Sequence, residues 1–488
     1  MRYEFFRTLM EEFHQLPPDM KPVLTLAGAL LLLNGYSSNL QLSQPLCYYE
    51  DDQAYAVFNI SWDNAWKNNR NHDAAWIFFK TTTADETRHI RVATEGHQVV
   101  EVFAPLESEG FTIKTPTDQA GLFIQPQGPI RGTVSMTVKV ALLSRDFDGL
   151  NAHANHLTAH GVEMVYIPEG SYFVGDESKA AIEHGGLYAP NTRDGELGLL
   201  QITSEQELSV GSDADLHYQN PRGYSGDQAG PIPADFPKGF AGFYIMKYEL
   251  RAGQYVQFLN FLTESQRSAH IVHEHPAYQE SGGSIEFVDG QFSTAYPTKP
   301  AYFVGWADAM AFADWAGLRP MTELEFTKAA RGTDKPESED FPWSTTSKLQ
   351  MQRLPNASGE LEMRNGLTEA DLSDDTRHYF GASPYWVMDL AGSLWERAIT
   401  IGHPRGRAFT GQHGDGTLSA EGMADVAEWP SGAEDEGGFG FRGGGFYGYN
   451  RLYHTYNPFS PVAYRPYGGW AGGDRTKAYG TRLVRSAP

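Results

Sequence analysis

Cysteine is almost missing from this chain of 488 residues. Cys47 is the single cysteine, so no disulfide can form within the chain. Stability must therefore come from packing or from a bound metal. An isolated cysteine rarely belongs to a catalytic site, and we do not expect Cys47 to be a nucleophile.

Basic residues are also scarce relative to acidic ones. The chain carries 38 lysines and arginines against 61 aspartates and glutamates, a formal net charge of −23. A nucleic-acid partner is excluded on this ground, because backbone phosphates must be met by a basic face. An acidic surface suits solubility and the binding of divalent cations.

Long apolar runs are absent, and aliphatic residues are modest beside 51 glycines and 13% aromatic residues. This composition favours a loop-rich β or α+β protein. The strongest apolar run, Pro22 to Leu33, is too short to span a bilayer comfortably but fits the hydrophobic core of a signal peptide. We predict an N-terminal extension with a signal peptide in residues 1–40, with Met20 as a possible start. Export to the periplasm, the cell envelope or the medium follows; the alternative is a buried N-terminal helix.

Residues 48–150 predict a small all-β domain of the sandwich type. Segments rich in aromatic and branched residues, 54–62, 74–80 and 132–143, are separated by polar turns. The region carries no recognisable chemistry, which favours an accessory or docking role.

A polar stretch, 145–161, links this region to the rest of the chain. His153, His156 and His160 would share one helical face, which is a possible metal site. No carboxylate follows at a matching interval, so a solvated linker is the preferred interpretation.

From residue 162 onward, strands and helices are mixed. Helices are predicted over 251–266 and 305–318 from their apolar spacing. A third helix should begin at Thr322, which forms a capping box with Glu325, and should end at Gly332.

The order of motifs along residues 162–485 resembles the formylglycine-generating enzyme, or sulfatase-modifying factor, family. The segments are "MVYIPEGSYFVG", "FYIMKYELRAGQYVQFLN", "KPAYFVGWADAMAFADWAGLRPMTELEFTKAARG", "FPWSTT", "VMDLAGSLWE", "FRGGGF" and "YGTRLVR". The resemblance implies an α+β module of the C-type-lectin-like type with little regular structure.

The resemblance also implies a chemistry, the copper- and oxygen-dependent oxidation of a substrate cysteine. Active members use two cysteines shortly after an Arg-Gly-Gly-Ser motif. Here Gly445 stands in the serine position, and the cysteines would fall near Gly448 and Tyr453. Copper(I) needs soft thiolate ligands, so we expect neither copper nor formylglycine-generating activity. The histidine-rich helical domain of the iron-binding branches is not recognisable either.

Calcium is the more plausible metal, because the family carries structural calcium sites in two loops. Asn356 and Glu396 occupy the corresponding positions, although Ser393 replaces an asparagine beside the second. Hard cations want several oxygen ligands. The alternatives are a turn asparagine and a buried carboxylate paired with an arginine such as Arg442.

The C-terminal segment is rich in tyrosine, which favours recognition of a protein or glycan. Core filling is the alternative. The candidate ligand contacts are Arg442, Tyr447, Tyr449, Tyr453, His454, Tyr456 and Trp470.

A non-catalytic exported binding protein is thus the first hypothesis. Other hypotheses are an enzyme with altered chemistry built on Arg442, Tyr453 and His454, a variable protein of a diversity-generating retroelement, and a structural surface component. The oligomeric state stays open.

Overall fold

The structure is a computed structural model that describes residues 40–82, 87–105, 109–147, 157–190, 197–347, 350–431, 437–445, 458–472 and 475–488. The apolar run Pro22 to Leu33 lies outside these residues, so the signal peptide stays a prediction. Within the described ranges, no helix combines the length and the apolar character needed to cross a bilayer.

Strands of two to fifteen residues dominate the described chain, and the overall mixture is compatible with the α+β class. The strands of the N-terminal region are β1 Gln41–Leu42, β2 Leu46–Glu50, β3 Gln53–Lys67, β4 Asp73–Thr82, β5 Thr87–Ile90, β6 Gln98–Phe103, β7 Phe111–Lys114, β8 Leu122–Pro126 and β9 Ile130–Ala141. Those that follow are β10 Leu157–Ile167, β11 Tyr172–Val174, β12 Ala189–Pro190, β13 Leu197–Gly198, β14 Leu200–Ile202, β15 Leu208–Val210, β16 Gly230–Ile232, β17 Phe243–Met246, β18 Ile285–Val288, β19 Gln291–Thr294, β20 Arg319–Pro320, β21 Arg353–Pro355, β22 Leu361–Met363, β23 Trp395–Ile399, β24 Phe439–Arg442, β25 Tyr479–Gly480 and β26 Leu483–Ser486.

Helices are short and lie mostly in the second half of the chain. They are α1 Ser144–Phe147, α2 Lys179–Glu183, α3 Ala252–Phe261, α4 Glu264–Ser268, α5 Pro276–Glu280, α6 Trp306–Trp315, α7 Glu323–Arg331, α8 Arg377–Phe380 and α9 Pro404–Arg407, with a 3-10 turn at Glu369–Asp371. The predicted helix over 251–266 is found as α3 and α4, and the helix over 305–318 is found as α6.

The predicted start and end of α7 are confirmed. The Thr322 hydroxyl accepts a hydrogen bond from the Glu325 amide at 3.1 Å, and the Glu325 carboxylate accepts one from the Thr322 amide at 3.0 Å. Gly332 ends the helix with a φ of 76°, a backbone conformation that favours glycine.

The first sheet has five strands, in the order β1-β3-β9-β6 with β2 also on β3. Inward residues of β3 alternate with outward ones, as expected of a strand with one buried face. Cys47 lies half-buried in β2, and burial raises the pKa of its thiol to about 12.

The second sheet has eight strands, in the order β20-β26-β17-β10-β4-β8-β7 with β5 on β4. It crosses the boundary that the sequence suggested, because β4 pairs with β10 from Leu157↔Thr81 to Val165↔Asp73. Four strands of residues 48–150, namely β4, β5, β7 and β8, therefore share one sheet with strands that follow residue 157.

Strand β4 is buried along its length because each of its faces meets a different core. Ala75, Ile77 and Phe79 pack against the inward residues of the five-stranded sheet. Trp76 and Phe78 face the larger core, which contains α3 and α6. The N-terminal strands are thus packed tightly onto the rest of the chain.

The predicted linker over 145–161 is wrong for its last part. Residues 157–161 belong to β10, and His160 is 6% exposed, stacked on Phe78 at 5.3 Å and edge-on to Trp315 at 4.8 Å. The polar composition of this stretch predicted a solvated segment, although one of its histidines is buried. Burial, reinforced by Lys80, lowers its pKa to about 3. His153 and His156 lie outside the described residues.

Candidate functional site

A three-stranded sheet is formed by β23, β24 and β25, with β23 in the middle. All five residues of β23 and all four residues of β24 are buried. The sheet positions two of the candidate residues, Glu396 on β23 and Arg442 on β24.

Glu396 is paired with an arginine, but the arginine is Arg482. Its Nε lies 3.0 Å from both Glu396 carboxylate oxygens, and its Nη2 lies 2.7 Å from Oε1. Both side chains have 0% relative exposure. Arg482 also donates to the carbonyls of Met246 and Met388, each at 2.7 Å. The suggested partner Arg442 is directly opposite Glu396 in the strand register but bonds elsewhere.

Arg442 instead belongs to a buried network centred on Glu323 of α7. Its Nη1 lies 3.1 Å from Glu323 Oε2, and Arg465 Nε lies 2.6 Å from the same oxygen. Burial acts to raise the pKa of Glu323, but Arg465 and Arg442 outweigh it and hold that pKa below its ordinary value. With 2% exposure, Arg442 holds β24 against α7, and no part of it forms an open binding surface.

The glycines that follow Arg442 lie against the backbone of neighbouring segments. Gly443 and Gly444 have φ values of 92° and 85°, which favour glycine. A Cβ on Gly445 would lie 2.8 Å from the Trp395 amide nitrogen and 3.1 Å from the Ala478 carbonyl oxygen. The position that carries serine in the family pattern therefore has no room here for a side chain.

Most of the predicted aromatic contacts fall on residues 446–457, outside the described residues. These are Tyr447, Tyr449, Tyr453, His454 and Tyr456, together with the expected cysteine position at Gly448. Trp470 is described and is half-buried, with its ring 5.9 Å from Phe441 and 5.5 Å from Tyr467. Tyr464 and Tyr479 are buried in the same small cluster. The described part of the tyrosine-rich segment thus fills a core.

The two predicted calcium positions are occupied by protein donors. Asn356 Oδ1 accepts hydrogen bonds from Ser358 N at 2.9 Å, Ser358 Oγ at 2.6 Å and Glu360 N at 3.1 Å. Both oxygens of Glu396 are bonded by Arg482. Asn356 lies in a turn between β21 and β22, and Glu396 lies in a buried strand. This geometry does not fit a calcium ion at either residue.

Sequence reasoning missed a buried carboxylate near Glu396, that of Glu249. Glu249 Oε2 accepts a hydrogen bond from Ser393 Oγ at 2.6 Å, and its Oε1 accepts one from the Leu394 amide at 2.9 Å. Burial, then the neighbouring Glu396 and Asp389, raise its pKa well above the ordinary value. Ser393 therefore serves as a donor to a carboxylate in the place where the family carries asparagine.

Sequence reasoning also missed a cluster of three aspartates, since its members are far apart in the chain. Oxygens of Asp314, Asp415 and Asp425 all lie within 4.8 Å of one another, with Asp314 buried and the other two exposed. Asp314 accepts the Asp415 and Asp425 amides at 3.0 and 3.1 Å. Burial raises the pKa of Asp314 to about 7. Oxygens of this kind suit a hard cation, although these amide bonds also explain the cluster as a loop anchor.

Comparison with known proteins identifies the module that contains these features. The family model of the sulfatase-modifying factor enzyme 1-like domain matches residues 153–487. The chain belongs to the formylglycine-generating enzyme family.

Similar proteins have modest identity to this formylglycine-generating-enzyme homologue. The formylglycine-generating enzyme of Bos taurus is 25% identical over 179 residues, 32% of this chain and 47% of the relative. That of Thermomonospora curvata is 29% identical over 108 residues, 22% of this chain and 35% of the relative. The inactive C-alpha-formylglycine-generating enzyme 2 of Bos taurus is 33% identical over 106 residues, 20% of this chain and 31% of the relative. The chain spans less than half the length of each of these relatives.

The family match also shows where the single cysteine of this homologue lies relative to the module. Its one cysteine, Cys47, precedes the matched residues 153–487, so the module contains no thiol. A non-catalytic member of the family fits these observations.

Proposed function

We propose that this protein is an exported, non-catalytic member of the formylglycine-generating enzyme family that binds a protein or glycan ligand through its tyrosine-rich C-terminal segment. The absence of any cysteine from residues 153–487 carries the proposal. Formation of formylglycine in this family, as the resemblance implies, depends on thiolate-bound copper, and no other side chain supplies such ligands. Two of the similar proteins are named as inactive enzymes.

The crowding at Gly445 supports the same conclusion. A serine there would bring its Cβ within 2.8 Å of the Trp395 amide nitrogen, so the backbone has closed over the place of a family side chain. The second hypothesis, an enzyme with altered chemistry, needed Arg442 as a polar group of the site. Because Arg442 is buried in its bonds to Glu323 and Val462, that group is not available to a substrate.

Ligand binding is assigned to the segment around Tyr449 and Tyr453 on the strength of its composition. Tyrosine combines a flat apolar face with a polar end at low entropic cost, which suits recognition of peptides and sugars. Buried Tyr464 and Tyr479 hold the flanking residues in the core. The proposal does not include calcium at Asn356 and Glu396, because their oxygens already accept protein hydrogen bonds.

The test combines a catalytic and a binding assay on the full chain. With copper, oxygen and a cysteine-containing peptide substrate of the active enzymes, mass spectrometry should detect no formylglycine product. Arrays of glycans and peptides should detect binding by the wild type, and Tyr449→Ala and Tyr453→Ala should weaken it at least about tenfold, a loss of ~1.4 kcal/mol.

Tyr296→Ala is the matched control, since Tyr296 is an exposed tyrosine with 39% relative exposure in another part of the module. It should bind like the wild type. Turnover of the peptide would overturn the non-catalytic assignment. Binding that survives both C-terminal substitutions would overturn the assignment of the surface.

A further inference from the structure

Strand β6 is the last strand at one end of the five-stranded sheet, as far as the structure describes the chain. Among the described residues, β6 forms ladder hydrogen bonds with β9 alone. Its aliphatic side chains are poorly covered, with Val100 59% and Val102 37% exposed. Exposed apolar edge strands of this kind are ready templates for an added strand.

The register shows which side chains of β6 face the core. Val99 pairs with Val138 and Val102 pairs with Met136, and both partners point into the buried core. Glu101 pairs with Thr137 on the opposite, solvent-facing side. Val100 is the extra residue of a bulge between Val99 and Glu101.

We propose that β6 is a docking site for an extended segment of a partner protein in which apolar side chains alternate with basic ones. An added strand would place every second side chain beside Val102, where it extends the core. The others would lie beside Glu101 on the solvent face. This inference concerns a different surface from the tyrosine-rich segment and does not depend on the function proposed for it.

The acidic side chains at this edge favour a partner segment that carries basic side chains. Between residues 94 and 103 the exposed charged side chains are Glu95 and Glu101, both acidic. The nearest base on the neighbouring strand, Lys139, is already bonded to Glu50 at 2.5 Å. Opposite charges across adjacent strands are favourable, whereas like charges are unfavourable.

The same charge disfavours a second copy of this chain as the occupant. In an antiparallel pairing of β6 with itself centred on Glu101, the two Glu101 side chains lie directly opposite each other. Each chain also carries a formal charge of −23, which opposes self-association at any site.

The experiment uses labelled hexapeptides, one alternating valine with lysine and one alternating valine with glutamate, titrated into the full chain by fluorescence anisotropy. The lysine peptide should bind at least about tenfold more tightly than the glutamate peptide, a difference of ~1.4 kcal/mol. Hydrogen exchange should slow within residues 98–103 when the lysine peptide is bound. Glu101→Lys should reverse the preference between the peptides.

Val100→Lys and Val288→Lys form a matched pair, because Val288 is 55% exposed on β18 in another part of the molecule. Val100→Lys should weaken binding of the lysine peptide, and Val288→Lys should leave it unchanged. The proposal would be overturned if Glu101→Lys did not change the preference between the two peptides. It would also be overturned if the bound peptide slowed hydrogen exchange only outside residues 98–103. A dimer that forms through β6 in light scattering and is lost in Val100→Lys would overturn it in favour of a second copy.

Discussion

The buried pair of Glu396 and Arg482 provides a quantitative test of how the module is held together. Arg482 contributes three contacts of 2.7 to 3.0 Å to the carboxylate and two bonds of 2.7 Å to backbone carbonyls. The Arg482→Met substitution keeps most of the side-chain volume and removes all five. It leaves the buried carboxylate of Glu396 with no cation beside it.

The expected cost is about 3–5 kcal/mol of unfolding free energy, the usual range when one partner of a buried ion pair is removed. The double variant E396M/R482M should lose at least ~2 kcal/mol less than the sum of the two single variants, because it buries no unpaired charge. Arg364→Met, at an exposed arginine, is the control and should change stability by less than ~0.5 kcal/mol.

The loss of unfolding free energy in Arg482→Met should also depend on pH. Burial raises the pKa of Glu396, with Arg482 acting against it, so removal of Arg482 raises that pKa further. A carboxyl group whose folded pKa is raised contributes stability that is complete below its unfolded pKa, ~4.3, and is lost as pH rises through the folded pKa. The deficit of Arg482→Met relative to the wild type should therefore be smaller at pH 5 than at pH 8, with the loss of the two carbonyl bonds present at both.

Guanidinium unfolding followed by tryptophan fluorescence measures these differences, with and without added calcium. If Glu396 were a calcium ligand, as the family resemblance suggested, calcium would restore much of the stability of Arg482→Met. Such a rescue would refute the reasoning. A stability loss that does not vary between pH 5 and pH 8 would refute it as well.

Three further predictions concern single positions. Gly445→Ala should lower the free energy of unfolding by at least ~2 kcal/mol, because its Cβ would lie 2.8 Å from the Trp395 amide nitrogen. Gly282→Ala is the control: no atom lies within 4 Å of the added Cβ, so it should cost only the ~1–2 kcal/mol of an alanine in the left-handed conformation. Urea unfolding of the two variants measures both losses. Burial raises the pKa of Asp73 to about 7, so its contribution to stability should fall from pH 4 to pH 7, and Asp73→Asn should remove this slope of up to ~1.4 kcal/mol per pH unit. Burial lowers the pKa of His160 to about 3, so stability should be lost as pH falls below about 6.5, and thermal unfolding of His160→Phe should show less of this acid loss.

Much of the local structure could be predicted because it depends on neighbours in the chain. The aromatic and branched residues of 54–62 predict a strand, and β3 contains this segment. The capping box of Thr322 and Glu325 and the stop at Gly332 are contacts over three to four residues, so the sequence shows both partners at once. The motif order that identifies the family is a property of the sequence as well.

The ion pairs and carboxylate groups of the site could not be predicted from neighbouring residues in the sequence. Arg482 and Glu396 are 86 positions apart, and Arg465 and Glu323 are 142 apart. Asp314 meets Asp415 and Asp425 across about as large a separation. A buried charge needs a partner, but the sequence offers many candidates, and packing selects one of them. His160 shows the converse, since its polar neighbours suggested a solvated linker and β4 buried it.

Motif order and the absence of cysteine are properties of the chain alone, so the sequence was enough to show that this chain belongs to the formylglycine-generating enzyme family and carries no thiol in the matching module. The contacts of the other motif residues depend on the tertiary structure. It placed Arg442 in the core against Glu323, gave Glu396 to Arg482 and closed the backbone over Gly445. The physical reason is that electrostatic and steric effects depend on distances between residues that are remote in the chain, and these distances exist only once the sheets have packed.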